Sequence, residues 1–213
     1  MKIENVKSFI RYGVNEQYNR DKTILGGLGI SALAFLAGTC GFGQTNTIWL
    51  AIVIYVLSIV HMLLLFKVSK NINSKKYLLC STIFCTFSTT VFSLSSAIFL
   101  IRAENPYVVL ICLIPGGAAL ISFLFVFIQL NRNKYLNKKN NPKYKNIGAF
   151  VMIGMGCTYF ARDYLFDWTS YMSLSEDTYS AILQILLASV FALMATPTAL
   201  KFYYACKLDS LKK

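Results

Sequence analysis

Of 213 residues, 56% are hydrophobic and only 14% charged, whereas an ordinary soluble domain is about 25% charged. That deficit excludes a chain whose main solvent is water. A net charge of +12 would suit nucleic acid, but the basic residues flank long uncharged runs instead of forming a patch, so no nucleic-acid partner is expected.

The runs free of Asp, Glu, Lys and Arg cover residues 23–66, 77–101, 105–131, 146–161 and 178–200. A helix crosses a bilayer core of about 30 Å with about 20 apolar residues. The first run holds two crossings, split by a turn between Gly41 and Thr47. The expectation is an all-α, polytopic membrane bundle of about six helices, at 24–42, 48–66, 78–101, 107–130, 147–166 and 181–201. With six crossings, every basic residue except Arg102 and Arg162 falls on one side. The positive-inside rule makes that side cytoplasmic and puts both termini there. Three parts follow: a cytoplasmic segment 1–22, a membrane domain 23–201 and a basic tail 202–213.

In the N-terminal segment, Ile3, Val6, Ile10, Val14 and Tyr18 recur at helical steps, with Lys7, Arg11 and Arg20 mostly off the stripe. The pattern predicts an amphipathic helix, either lying on the inner leaflet or packed on the bundle. The first membrane helix is read as retained. In Leu36–Cys40, which otherwise looks like a lipoprotein cleavage box, Thr39 separates Gly38 from Cys40, and the apolar run continues beyond. Gly27, Ser31, Ala34, Gly38 and Gly41 form a seam of small residues on this helix, suited to close helix contact. The second helix carries the chain's one histidine, His61.

The third helix sets Thr82, Thr86, Thr89, Ser93 and Ser96 on one face, with Phe84, Phe87, Val91, Leu94 and Ile98 opposite. The apolar stripe reads as lipid-facing. The hydroxyl face reads as a helix contact or as the lining of a cavity. The fourth helix contains Pro115, Gly116 and Gly117, a candidate break of the kind that marks substrate sites in transporters. A Lys- and Asn-rich loop, 131–146, follows. In the fifth helix, Arg162 lies fifteen residues beyond Ile147, about 22 Å along. Arg162 and Asp163 therefore either sit within the hydrocarbon as a functional pair or snorkel to the outer surface. The outer segment 167–179 supplies Trp168, Tyr171 and Tyr179 as interfacial anchors. The last helix carries an alanine seam, Ala188, Ala192, Ala195 and Ala199, with Gln184 one turn before it and Pro197 within it.

Six cysteines lie in or at the ends of apolar segments without a CxxC pair, so no metal or other cofactor is expected. The segments holding Cys80 and His61 both approach the inner leaflet, which allows a Cys–His dyad, but no catalytic motif accompanies them and no enzyme is expected. Frequent Lys and Asn fit an AT-rich bacterial genome. The layout is similar to that of small permease subunits of bacterial ABC exporters; the likeness is one of layout, not of motif. It implies a transporter or permease-type subunit, or a channel component, in the cell membrane. The chain has no GxxxxGK[ST] loop, so a separate ATPase or another membrane subunit is then the expected partner, besides the lipid bilayer and a second copy of the chain. The alternative is a non-catalytic immunity or sensor protein that recognises a secreted peptide or toxin through the outer segment.

Overall fold

The computed structural model describes residues 2–11, 20–69, 74–136 and 175–210. Every described element is a helix: α1 (Ile3–Arg11), α2 (Arg20–Thr39) with a 3-10 turn (Cys40–Gly43), α3 (Ile48–Val68), α4 (Ser74–Arg102), α5 (Val108–Cys112), α6 (Ile114–Asn131) and α7 (Glu176–Ser210). Among the described residues, five helical spans are long and apolar enough to cross a membrane, α5 and α6 together making one of them. The predicted crossing 147–166, with Arg162 and Asp163, lies outside the described residues, as do the loop 137–146, Trp168 and Tyr171.

α2 and α3 form a hairpin, and the seam read from the sequence is its contact line. Gly27, Ser31, Ala34, Gly38 and Gly41 are all buried. The turn is closed by Thr47, whose Oγ1 donates to the carbonyls of Gly41 (2.7 Å) and Gln44 (3.1 Å). Phe35 and Phe42 stack on Tyr55 across the hairpin.

α4 and α7 form the most extensive helix pair. They run antiparallel, with Lys75 paired to Asp209 at one end and Arg102 to Asp177 at the other. Between these ends, the alanine seam of α7 meets α4, and Ala181, Ala188 and Ala192 are fully or almost fully buried. At 35 residues, α7 is about 52 Å long and outruns the predicted 181–201. Lys201 ends the apolar run but not the helix: nothing from Lys201 to Ser210 breaks a helix, and Ala205 is still buried.

The apolar stripe of α4 corrects the sequence reading. Phe87, Val91 and Ile98 do not face lipid; they fill the core with Ile54, Phe92 and Phe191. Thr86 and Thr90 are exposed instead. The reason is packing. Lipid competes equally well for an apolar surface, so membrane helices associate through contact density, and the bulky side chains supply the volume that α2, α3 and α7 close upon.

α6 and α7 run parallel. Ser122 and Ala119 meet Leu193 and Thr196, and further along, Val126 and Leu130 pack with Leu200 and Tyr204. Leu136 and Ser175, the described residues either side of 137–174, therefore lie at opposite ends of the bundle. The same arrangement gathers Lys2, Lys7, Arg11, Lys67, Lys75, Arg132, Lys134 and Lys207 at one end, and Arg102, Glu104, Glu176 and Asp177 at the other.

α1 packs on the basic end. Asn5, Val6 and Phe9 turn inward, whereas Ile3 stays exposed. The expected stripe is thus divided: Val6 faces the bundle, Ile3 does not, and Val14 and Tyr18 lie outside the described residues.

Candidate functional site in the helical core

The hydroxyl ladder of α4 is built on helical spacing, and most of it is turned on its own backbone. Thr82, Thr86, Thr89 and Ser93 donate to the carbonyls of Leu78, Thr82, Cys85 and Thr89 at 2.8–2.9 Å. Each hydroxyl is thereby satisfied within α4 and keeps only lone pairs to offer. Thr86 is exposed, Thr82, Thr89 and Ser93 are half-buried, and Ser96 is fully buried. Ser96 is the exception in bonding as well, donating across to Ala181 of α7 at 3.1 Å.

The Pro-Gly-Gly segment marks a real interruption. α5 stops at Cys112; Leu113 keeps helical dihedrals (φ −81°, ψ −15°) but its amide bonds to the Leu110 carbonyl, and α6 begins at Ile114 with Pro115 in its first turn. Proline cannot donate and clashes with a continuing helix, so the ladder restarts with Gly117 donating to Leu113. Pro115 is buried; Gly116 and Gly117 face outward, and a Cβ added at either would meet no atom within 4 Å. Just beyond the break, α6 is fastened to α7 by two hydroxyls at the same level. Ser122 donates to Leu193 (2.9 Å), and the Thr196 hydroxyl is shared between Ala119 (3.3 Å) and its own-helix Ala192 carbonyl (3.2 Å). Among the described residues, α6 is largely uncovered apart from this seam and the end held by α1: Leu120, Ile121, Leu124 and Phe125 are all exposed.

Gln184 is half-buried on α7, and its Oε1 has no hydrogen-bond partner among the described residues. Ser95, fully buried on α4, likewise has an unpartnered Oγ. The structure thus brings Ser96 and α7 together and places the break of α6 beside α4, where the Cys112 thiol reaches the Ser93 carbonyl at 3.7 Å. Thr82 and Thr86 lie further along α4, away from the break.

Sequence reasoning missed one polar constellation. His61 is buried, shares a 3.0 Å hydrogen bond with Ser31 through Nδ1, and stacks flat on Phe87 with ring centres 3.9 Å apart. Its Nε2 has no hydrogen-bond partner among the described residues. The available signal was a lone His on one helix and the one hydroxyl in the small-residue seam of its hairpin partner. The Cys80–His61 dyad that the sequence allowed is not formed. His61 meets Phe87, seven residues along α4 from Cys80, which is about 10 Å at helical rise. Among the described residues no three His, Cys, Asp or Glu side chains gather around one point.

Ser31→Ala leaves both imidazole nitrogens unpaired in the core and is expected to cost about 1–3 kcal/mol. His61→Phe keeps a stacked ring and removes both polar atoms, while Ser31 can turn to its own backbone. Thermal unfolding in detergent should therefore rank His61→Phe above Ser31→Ala; the reverse order would show that the imidazole itself is needed for packing.

Compared with models of protein families, with curated proteins and with solved structures, the chain matches none.

Proposed function

We propose that the chain is a permease-type or channel-type membrane subunit with six crossings, both termini in the cytoplasm, and no ATPase of its own. The observation that carries this reading is α6. Its hydrogen-bond ladder is interrupted at Leu113, just before Pro115, and beside this break it is joined to α7 through a hydroxyl-bonded seam, with apolar packing on Leu200 and Tyr204 at its other end. A helix so attached can rock without disturbing the α2–α3–α4–α7 core, and interrupted helices recur where transporters admit substrate. Parallel α6 and α7 leave Leu136 and Ser175 at opposite ends, which supports a further crossing between them. The gathered lysines and arginines support a cytoplasmic basic end. In this reading α1 belongs to the inner-leaflet side, and a separate ATPase or second membrane subunit supplies the driving element.

The filled core favours a second reading, a non-catalytic membrane immunity or sensor protein. Phe87, Val91, Phe92 and Phe191 occupy the space between helices, and most α4 hydroxyls are already bonded to their own backbone. Recognition needs no internal motion, so one experiment separates the two. In a background without the six native cysteines, Ser122→Cys with Leu193→Cys is oxidised to a disulfide joining α6 and α7. The locked protein should lose its cellular phenotype and regain it on reduction; an undiminished phenotype would favour recognition. In the same background, Gln44→Cys should react with an impermeant thiol reagent outside intact cells, and no reaction would reverse the orientation.

A further inference from the structure

We propose that the outer face of α1, together with the turn after α6, is a docking surface for anionic lipid headgroups. The inference rests on the reading of the basic end as the inner-leaflet side. α1 is clamped in a fixed pose. Asn5 Nδ2 donates to the Leu130 carbonyl at 2.7 Å, and Asn5 Oδ1 accepts from the Tyr135 amide at 3.0 Å. Phe9 packs on Tyr135 with ring centres 4.9 Å apart and takes the Lys201 ammonium on its ring at 5.5 Å. With that side spent, Ile3, Lys7 and Arg11 are left exposed at helical spacing, and Ile10 half-buried beside them.

The neighbouring turn adds charge to the same region. Asn133 adopts a left-handed conformation, φ 52°, and its side-chain oxygen accepts the Lys2 amide at 3.5 Å. This holds Arg132 and Lys134, both exposed, beside α1. None of Lys7, Arg11, Arg132 and Lys134 takes part in a described ion pair. Glu4 is the one acid exposed on α1.

Charge alone would also attract an acidic protein. Ile3 and Ile10 favour lipid, because a face that mixes cations with aliphatic side chains matches a boundary that is anionic outside and hydrocarbon beneath. The height is right as well. Asn5 grips the last turn of α6, where the apolar span ends at Asn131.

The test uses the full chain in mild detergent with mixed phosphatidylglycerol and phosphatidylcholine, and reads bound lipid by native mass spectrometry. Each cation near a membrane surface contributes about 1 kcal/mol, so Lys7→Gln with Arg11→Gln should weaken phosphatidylglycerol binding about 30-fold. Lys67→Gln with Lys207→Gln removes equal charge from the same end of the bundle and should change it far less. Equal losses in the two pairs would mean diffuse attraction and overturn the surface. So would unchanged binding in the first pair, which would leave the face to an acidic protein. Displacement of the lipid by inorganic phosphate would show a phosphate site rather than a lipid surface. Bound lipid is read without reference to membrane sidedness, so failure here is distinct from a reversed orientation at Gln44→Cys.

Discussion

Asn5→Ala should release α1 from the bundle and raise amide exchange across residues 3–11 and 130–136 by about a hundredfold. The side chain is fully buried and serves two backbone groups at once, the Leu130 carbonyl and the Tyr135 amide. Alanine removes the Asn5 acceptor from the Tyr135 amide and the side-chain donor from the Leu130 carbonyl, which keeps the Asn133 amide at 3.2 Å. Losing these two buried hydrogen bonds costs about 1–3 kcal/mol, and the upper end of that range corresponds to the hundredfold. The paired ends of α4 and α7 are held separately through Lys75–Asp209 and Arg102–Asp177, so their exchange should not change.

Asn5→Asp sharpens the expectation through pH. The carboxylate keeps an acceptor for Tyr135 but sets a second oxygen against the Leu130 carbonyl, with repulsion in place of a hydrogen bond. Protonation restores a donor. Burial raises a carboxyl pKa, so the damaged protein should recover protection at residues 130–136 as pH falls. The alanine variant, with nothing to protonate, should not recover. If the two variants respond alike to acid, the Asn5 bond to Leu130 is not what holds α1.

These effects centre on a residue that sequence reasoning passed over. An asparagine among polar neighbours in a terminal helix looks like surface, and only the approach of the α6 terminus gives it a role. The seams were legible for the opposite reason. Gly27, Gly38 and Gly41 at helical spacing have one common use, close approach of another helix, and all three are buried. The faces of α4 were misread because apolar side chains in a membrane carry no inside or outside label: lipid and core suit Phe87 equally, and the number of helices that surround α4 decided the matter. The break in α6 was visible because proline acts locally. The partner of His61 was not, because pairing with Ser31 depends on how two helices turn about their axes.

The seam makes the last prediction a comparison of two glycines. Gly41→Ala should destabilise the bundle by about 1–3 kcal/mol, the usual cost of forcing an extra methyl into a packed core. Its added methyl would stand 2.9 Å from Ala51 Cβ, 3.0 Å from Ile98 Cδ1 and 3.2 Å from the Thr47 carbonyl. Ala51 Cβ moves only if α3 moves, and the Thr47 carbonyl belongs to the turn that Thr47 itself closes on Gly41. No rotamer change relieves the contact. Gly116→Ala meets nothing within 4 Å, and alanine is favoured over glycine in a helix by up to about 1 kcal/mol. The same substitution should thus lower the thermal midpoint at position 41 and hold or raise it at position 116. Equal losses at both would mean that the outward side of α6 is covered in the assembled protein, and the surface exposed beside the Pro115 break would then belong to a subunit contact rather than to lipid.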